Sequence, residues 1–241
     1  MSMYKGSLFV YGGDMLNATG RRKRLEEGSG LYLILTSPVI PHIELAAAAC
    51  ERGVRVLQLR EKHLPDEELL RIASGIADVV RNTDTLFIVN DRPDIAADVE
   101  ADGVHVGQSD ESVTDARALL GSEGLIGLST STPIEAEAAR SAGADYIGIG
   151  PVFPTDTKPD ALPPIGLTGL RRVAARVPDL PGVAIGGITR ETAADVVDAG
   201  ARYVAVISAI CHADDPIKAM DDFLLAVGGP GHQGTGTAGD A

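Results

Sequence analysis

Short apolar segments alternate with longer segments of helical periodicity along most of the chain. Eight of the short segments are apolar almost throughout, which is typical of parallel strands that are covered on both faces. We therefore predict a parallel sheet. The predicted strands are Leu31–Thr36, Val54–Leu59, Leu86–Val89, Gly103–Val106, Leu125–Leu128, Asp145–Ile149, Val183–Ile185 and Tyr203–Ile207.

The segments between these strands carry apolar residues with the helical period, which predicts amphipathic helices. The predicted helices are Ile43–Arg52, Asp66–Arg81, the short Ile95–Val99, Val113–Leu120, Pro133–Ala142, Leu167–Val177, Glu191–Ala199 and Asp215–Val227. Asp66 follows Pro65 and is a predicted N-cap. Thr132, followed by Pro133 and then Glu135, predicts a capping box.

The strand and helix units repeat in order, and part of the repeat is visible in the residues. Ala142–Tyr146 reads AGADY and Ala199–Tyr203 reads AGARY, and each joins a helix to a strand. Eight such units within residues 31–227 predict a single α/β domain, a (β/α)8 TIM barrel. An open doubly wound sheet is the alternative, but no GxGxxG motif follows the first strand, which favours the barrel.

The two ends of the chain differ from the repeating part. Residues 1–30 are predicted to be an N-terminal extension that is irregular or holds a short helix. Residues 228–241 are rich in glycine, and we expect a flexible tail because they have too little apolar surface to offset ordering. The basic run Arg21–Arg24 is followed by Glu26 and Glu27, which predicts a solvent-exposed face.

The composition limits the classes of molecule that the chain is expected to bind. The 241 residues are 44% hydrophobic and carry a formal net charge of −13, which allows a sizeable core and argues against nucleic acid or an anionic membrane. No membrane span or signal peptide is visible. Cys50 and Cys211 lack metal-site spacing, so we expect reduced thiols in the cytoplasm. Small molecules are the predicted partners, and a homo-oligomer stays open.

Candidate binding residues follow the predicted strands, where ligands bind in such barrels. After the second strand, Gln58, Arg60 and Lys62 alternate along the chain and therefore share one face. Arg60 and Lys62 together predict a clamp for an anion. A cluster of charges on the surface is the alternative.

Two carboxylates follow neighbouring strands. Asp91 comes after the third strand and Asp110 after the fourth, so we expect them side by side. Such carboxylates repel each other unless a cation or a proton lies between them. Mg²⁺ held by carboxylates, water and a substrate phosphate fits this pattern, and helix N-capping by each aspartate is the alternative.

Two further strand ends suit phosphate groups. The stretch Gly148–Lys158 contains Thr155, Thr157 and Lys158, whose hydroxyl and ammonium groups can bind phosphate oxygens. Gly186-Gly187 ends the seventh strand beside the small residues that end the eighth, which predicts a phosphate cradle of backbone N–H groups. The sequence thus predicts two anion sites, for two phosphorylated substrates or for one substrate with two phosphate groups.

A nucleophilic triad is not visible among these residues. No Ser-His-Asp or Cys-His arrangement follows the strands. His105 lies inside the fourth strand, and we predict a packed, hydrogen-bonded side chain rather than a reactive one.

Taken together, these motifs resemble the thiamine-phosphate synthase family over residues 31–225. The matching motifs are Gln58–Lys62, Asn90–Arg92, Asp102–Gln108 with Asp110, Gly148–Lys158, Ala184–Thr189 and Val206–Ile210. The resemblance implies a TIM barrel that joins 4-amino-2-methyl-5-hydroxymethylpyrimidine diphosphate to 4-methyl-5-hydroxyethylthiazole phosphate. The implied products are thiamine phosphate and pyrophosphate, formed by a dissociative substitution with Mg²⁺ as cofactor.

The resemblance also implies roles for single residues. The leaving pyrophosphate would be stabilised by Arg60, Lys62 and Lys158, and Mg²⁺ would be bound by Asp91 and Asp110. The pyrimidine diphosphate would be held by Gln58, Arg60, Lys62, Asn90, Ser129 and Lys158. The thiazole phosphate would be held by Thr155, Asp156, Thr157, Gly187, Ile207 and Ser208. Leu59 and Glu61 belong to the Gln58–Lys62 motif and are included among the substrate-binding residues.

The chain departs from the family pattern at two strand ends. Thr36-Ser37 stands where the family usually has Thr-Asp, and Ser129–Ser131 stands where it usually has Ser-Thr-His. A thiazole tautomerase of the same barrel family is one alternative, but the resemblance gives it a histidine at the position of Ser131 and no need for Asp110. Another phosphate-binding barrel is disfavoured by the charged residues, and a non-catalytic thiamine-phosphate-binding protein stays open.

Overall fold

The computed structural model describes residues 18–157 and 162–228 of the 241-residue chain. Eight parallel strands form a closed barrel in chain order, and the last strand pairs with the first. The strands are β1 (Gly30–Leu35), β2 (Val56–Leu59), β3 (Leu86–Asn90), β4 (Gly103–Val106), β5 (Leu125–Thr130), β6 (Tyr146–Ile149), β7 (Gly182–Ala184) and β8 (Tyr203–Val206). The predicted TIM barrel is confirmed, because the pairing of β8 with β1 excludes an open sheet.

Helices connect the strands, as the repeat predicts. They are α1 (Ala18–Glu27), α2 (His42–Glu51), α3 (Asp66–Val80), α4 (Pro93–Asp98), α5 (Val113–Leu120), α6 (Pro133–Ser141), α7 (Gly166–Ala174), α8 (Arg190–Asp198), α9 (Ser208–Cys211) and α10 (Pro216–Ala226). The eight predicted helices correspond to α2–α8 and α10. The single turn α9 was not predicted, because it is too short for a periodic pattern. No helix within residues 18–157 and 162–228 is long and apolar enough to cross a membrane.

The two predicted helix starts had different outcomes. The Thr132 hydroxyl accepts the N–H of Glu135 at 3.2 Å, and the Glu135 carboxylate accepts the N–H of Thr132, so the capping box is confirmed. The N-cap of α3 is Pro65, and no side chain caps this helix. The prediction for Asp66 was wrong because its carboxylate instead accepts hydrogen bonds from Arg92 at 2.6 and 3.3 Å.

Two apolar layers stabilise the barrel. Alternate strand residues face inward, and together with Leu25 they fill the interior: Tyr32, Ile34, Val56, Leu86, Ile88, Leu125, Tyr146, Val183, Tyr203 and Ala205. The residues between them, such as Leu31, Leu33 and Leu35, pack against the helices. Because both faces of each strand are buried, the strands are apolar throughout rather than alternating with polar residues.

Helix α1 closes the end of the barrel where the strands begin. Its Leu25 side chain is 1% exposed and belongs to the interior layer. The hydroxyl of Tyr203, at the start of β8, donates to the Leu25 carbonyl at 2.8 Å. Residues of the N-terminal extension therefore complete the core of the domain.

The basic run in α1 has a different environment from the one predicted. Arg21 donates to Asp102 at 2.8 Å, Arg22 donates to Asp145 at 2.6 Å, and Arg24 donates to the Thr83 carbonyl at 2.9 Å. Asp102, Asp145 and Thr83 each lie just before a strand. The prediction of a solvent-exposed face was wrong for these arginines, and only Lys23 of the four, at 66% exposure, behaves as predicted. The predicted Gly-rich tail, apart from Gly228, lies outside the described residues.

Candidate active site

A cavity of about 360 Å³ opens where the strands end, at the face opposite α1. This volume lies within the range of small-molecule sites, and the position is where barrels of this fold bind ligands. Many of the predicted site residues line it. These are Gln58, Arg60, Lys62, Asn90, Asp91, Asp110, Ser129, Thr155, Thr157, Gly187, Ile207 and Ser208.

The remaining predicted residues do not line the cavity within the described part of the chain. Leu59 is 1% exposed and packs in the outer core, because it alternates with the inward-facing Gln58. Glu61 alternates in the same way, and Asp156 is exposed to solvent away from the cavity. These three side chains lie outside the cavity lining, and their roles in substrate binding stay predictions. Lys158 lies outside the described residues, so its roles stay predictions.

Glu61 connects two loops at the mouth of the barrel. Its carboxylate accepts the backbone N–H of Ser37, and it pairs with His42 Nε2 at 2.7 Å. Burial alone would raise the pKa of Glu61, but the hydrogen bonds from His42 and Ser37 outweigh it and lower the pKa. Ser37, at φ 40°, thus binds a side chain of the Gln58–Lys62 motif through its backbone.

One side of the cavity carries a compact group of charges. Lys62 Nζ lies 3.1 Å from Asp91 Oδ2, and Asp110 Oδ2 accepts the backbone N–H of Gly107 at 2.8 Å. Burial raises the pKa of Asp91, Lys62 opposes this, and the negative charge of Asp110 adds to the rise. The two carboxylates are therefore close enough to repel each other, as their positions after β3 and β4 predicted.

The opposite side of the cavity is built from glycines and hydroxyl groups. Gly187 has φ +62°, and a Cβ there would meet Phe153 Cβ at 2.9 Å as well as the Pro154 carbonyl. Glycine therefore allows the loop after β6 to lie against the end of β7. This contact brings the Thr157 hydroxyl to within 3.4 Å of the Ser208 hydroxyl, which follows β8.

The floor of the cavity is a row of polar side chains, of which Gln58, Tyr32 and Tyr146 are buried and His105 and Ser129 are half-buried. Gln58 Nε2 donates to the Tyr32 hydroxyl at 3.0 Å, and the Tyr32 hydroxyl lies 3.0 Å from the Tyr146 hydroxyl. His105 Nδ1 lies 3.2 Å from the Tyr146 hydroxyl, and His105 Nε2 lies 3.0 Å from Ser129 Oγ. Burial lowers the pKa of His105 to about 4, with Asp110 opposing the shift, so the imidazole is neutral at physiological pH.

This row also shows what the sequence reasoning missed. His105 is packed and hydrogen-bonded, as predicted, but Tyr32 and Tyr146 were not identified as site residues because they lie inside apolar strands. Their inward position, two residues from Ile34 and from Gly148 respectively, was the available signal. A Cβ at Gly127 would overlap the Tyr146 ring, so glycine at this strand position leaves room for the tyrosine.

Ser131 stands where a histidine is usual in the resembling family, and it points toward a helix. Its N–H and its hydroxyl both donate to Glu135 Oε2, at 2.6 and 2.9 Å. The side chain therefore extends the capping box of α6 at the cavity wall.

The comparisons with known proteins identify the family of the chain. The family model described as thiamine monophosphate synthase matches residues 31–210, which contain all of the strands except Gly30 of β1, and the residues lining the cavity. The chain belongs to this family. The match ends at Ile210, one turn beyond β8, and leaves out the barrel-closing helix α1.

Individual relatives support the assignment. A thiamine-phosphate synthase of Moorella thermoacetica is 47% identical over 188 residues, covering 77% of this chain and 89% of that protein. One of Archaeoglobus fulgidus is 45% identical over 205 residues, covering 85% and 96%. The structure of a thiamine phosphate pyrophosphorylase from Pyrococcus furiosus superposes with a TM-score of 0.76 at 37% identity, covering 86% and 96%.

Proposed function

We propose that the chain joins the pyrimidine diphosphate to the thiazole phosphate at this cavity, releasing pyrophosphate and forming thiamine phosphate. The observation that carries the proposal is that one cavity has a charged group of residues on one side and a glycine and hydroxyl group on the other. Such a division suits two phosphorylated substrates whose reacting atoms meet in the middle. Membership of the thiamine monophosphate synthase family supports the same reaction.

The charged side would bind the diphosphate. Arg60 and Lys62 bring positive charge to the oxygens of the leaving pyrophosphate, where negative charge increases as the bond breaks. Asn90 lies beside them on the cavity wall and would donate to the same group. Gln58 and Ser129, at the floor, would hold the pyrimidine ring. Lys158 keeps its predicted role on the pyrophosphate.

Asp91 and Asp110 have the chemistry of a magnesium site completed by the substrate. The described residues contain no group of three or more His, Cys, Asp or Glu side chains that could hold a metal alone. Two carboxylates with phosphate oxygens and water are the ligands that Mg²⁺ usually takes. When bound, Mg²⁺ would neutralise charge on the leaving pyrophosphate.

The bond changes need little acid or base catalysis. The carbon–oxygen bond at the pyrimidine CH₂ breaks, and its electron pair leaves on pyrophosphate. The ring-stabilised carbocation is then captured by the lone pair of the thiazole nitrogen. The residues at the cavity fit this course, because the half-buried His105 is neutral and held by two hydrogen bonds rather than free to transfer a proton.

The glycine and hydroxyl side would bind the thiazole phosphate. Backbone N–H groups near Gly187 and at Ile207-Ser208, with the hydroxyls of Thr155, Thr157 and Ser208, offer donors to its oxygens.

A cytoplasmic location accords with the free thiols Cys50 and Cys211. The oligomeric state stays open.

The test is an assay with purified protein, both phosphorylated precursors and Mg²⁺, in which thiamine phosphate is measured. We expect product that requires both precursors and is lost when the metal is chelated. Absence of product with either Mg²⁺ or Mn²⁺ would refute the proposal. Binding of thiamine phosphate without turnover would favour a binding protein, and isomerisation of the thiazole alone would favour the tautomerase.

A further inference from the structure

We propose that the row Gln58–Tyr32–Tyr146–His105–Ser129 at the cavity floor is a one-way hydrogen-bond chain that makes Ser129 a donor, and the Gln58 amide oxygen an acceptor, toward the ligand. Tyr32, Tyr146 and His105 are then positioning residues that select a ring carrying an amine and an acceptor nitrogen. The inference rests on the proposed function, because the ligand at the cavity floor is taken to be the aminopyrimidine.

The direction follows from which atoms can donate. The Gln58 amide nitrogen only donates, so the Tyr32 oxygen accepts from it at 3.0 Å. The hydroxyl hydrogen of Tyr32 then has the Tyr146 oxygen, 3.0 Å away, as its partner. Among the described residues, the Tyr32 hydroxyl has only these two partners, and a buried hydroxyl hydrogen is rarely left unpaired, so the chain continues in the same sense.

His105 continues the same direction of donation from Tyr146 to Ser129. Tyr146 has accepted from Tyr32, so its hydroxyl hydrogen donates to His105 Nδ1 at 3.2 Å. Nδ1 therefore carries a lone pair, and the hydrogen of the neutral ring is on Nε2. Nε2 donates to Ser129 Oγ at 3.0 Å.

The two ends of the chain then have fixed polarity. Ser129 Oγ has accepted, which leaves its hydroxyl hydrogen to donate into the cavity. The Gln58 nitrogen is held by Tyr32, which leaves the amide oxygen as an acceptor at the cavity wall. A 4-aminopyrimidine provides the complements, since its ring nitrogens accept and its amino group donates. A 4-oxopyrimidine replaces the amine with an acceptor and would meet the Gln58 oxygen unfavourably.

The barrel is shaped to hold this row in place. Tyr32 and Tyr146 are each 1% exposed, and the ring centroids of His105 and Tyr146 are 5.5 Å apart. A Cβ at Gly127 would overlap Tyr146 and also crowd His105. Packing this tight holds the rings at hydrogen-bonding distance from one another, while the direction of the chain follows from the Gln58 amide and the positions of the hydrogens.

The first test determines which ring nitrogen of His105 carries the hydrogen. Nitrogen-15 NMR of the histidine rings in the complete wild-type protein should show a protonated Nε2 and an unprotonated Nδ1 for His105. The signal is assigned by its loss in His105→Gln. A protonated Nδ1 would mean that the chain runs the other way, with Ser129 donating inward, and would overturn the inference. This measurement does not depend on activity, so failure of the proposed reaction cannot be confused with failure of the chain.

The second test breaks the chain at its centre with Tyr146→Phe. The kcat/KM for the 4-amino pyrimidine diphosphate should fall about 10- to 100-fold, while the KM for the thiazole phosphate stays unchanged. The ratio of the kcat/KM for the 4-amino pyrimidine diphosphate to the kcat/KM for its 4-oxo analogue should fall as well. Tyr203→Phe is the matched control, because Tyr203 is also a buried barrel tyrosine but donates to Leu25 at the other end.

The ratio of the two kcat/KM values distinguishes selection of the 4-amino ring from a general loss of packing. A loss of packing would lower turnover of both pyrimidines equally, so an unchanged ratio in folded Tyr146→Phe would refute a selecting role. Circular dichroism and thermal melting establish that the variant is folded. If Tyr146→Phe does not fold, Tyr32→Phe breaks the chain one step earlier and is judged by the same ratio.

Discussion

Lys62 Nζ lies 3.1 Å from Asp91 Oδ2 at the mouth of the barrel. One residue is proposed to bind the leaving pyrophosphate and the other to bind Mg²⁺, so in the absence of substrate they neutralise each other. Arrival of diphosphate and metal would exchange this ion pair for two new ones. The ion pair therefore compensates the charges of Lys62 and Asp91, while Asp110 keeps its negative charge beside them.

The role of Asp91 is tested by Asp91→Asn. Asparagine keeps the size of the side chain and tolerates the left-handed backbone at φ 58°, which alanine would adopt less readily. Because one metal ligand is lost, we expect kcat to fall by about 100-fold or more and the Mg²⁺ concentration for half-maximal rate to rise. The control is Asp94→Asn, since Asp94 is paired with Arg92 and is 54% exposed. Wild-type activity in Asp91→Asn over a full Mg²⁺ titration would contradict the metal role.

The hydroxyl side of the cavity is tested by Ser208→Ala. Its hydroxyl lies 3.4 Å from that of Thr157, and both are proposed to bind the thiazole phosphate. A hydrogen bond to a charged group contributes about 1.5–3 kcal/mol, so we expect the KM for thiazole phosphate to rise about 10- to 100-fold. The KM for the pyrimidine diphosphate should change little. Ser74→Ala, which removes a hydroxyl from the surface of α3, is the control. An increase in the pyrimidine KM alone would show that the two phosphate sites have been assigned the wrong way round.

The loop contact at Gly187 is tested by Gly187→Ala. A Cβ there meets Phe153 and Pro154, and φ +62° is unfavourable for alanine, so the loop after β6 must move. We expect weaker thiazole phosphate binding and a lower melting temperature together. Gly53→Ala is the control for backbone strain alone, since it has φ +73° but no atom within 4 Å of the added Cβ. Equal effects of both substitutions on KM would remove the case for a loop contact at the site.

Much of the fold could be predicted because each strand is buried on both faces. Such burial gives each strand a short, continuous apolar segment that is visible in the sequence. The site residues on inward positions, such as Gln58 and Arg60, followed from the same alternation, whereas Asp91 followed from its place after β3. The tyrosines of the cavity floor did not, since a buried tyrosine inside an apolar strand reads as core unless its hydroxyl partner is known. That partner, Tyr146 for Tyr32, lies 114 residues away in the chain.

The basic run of α1 was misread for the same reason. Arg21 and Arg22 look solvated beside Glu26 and Glu27, because their partners Asp102 and Asp145 are distant in sequence. Both aspartates directly precede a strand, and only closure of the barrel brings them next to α1. Local charge patterns thus predict exposure well where no long-range partner exists, as for Lys23, and fail where one does.

The contribution of α1 to stability is tested by Arg21→Ala. Asp102 accepts from Arg21 at 2.8 Å and also accepts the backbone N–H of Phe87 at 2.8 Å. Removing the guanidinium leaves a mostly buried carboxylate with less compensation, so we expect a loss of about 1–3 kcal/mol in the free energy of unfolding. The measurement is denaturant unfolding, and kcat should stay unchanged because the active site lies at the opposite end of the barrel.

The pH dependence of the free energy of unfolding tests whether Asp102 causes the loss of stability in Arg21→Ala. Burial already raises the pKa of Asp102 in the folded protein, and loss of Arg21 should raise it further. A carboxyl group with a raised pKa favours the folded state below its unfolded pKa, and this advantage is lost as pH rises through the folded value. The stability difference between wild type and Arg21→Ala should therefore be small near pH 4 and grow toward pH 7. Lys23→Ala, on the exposed face of the same helix, should show no such difference, and a deficit in Arg21→Ala that is independent of pH would mean that lost packing, not the ion pair, is responsible.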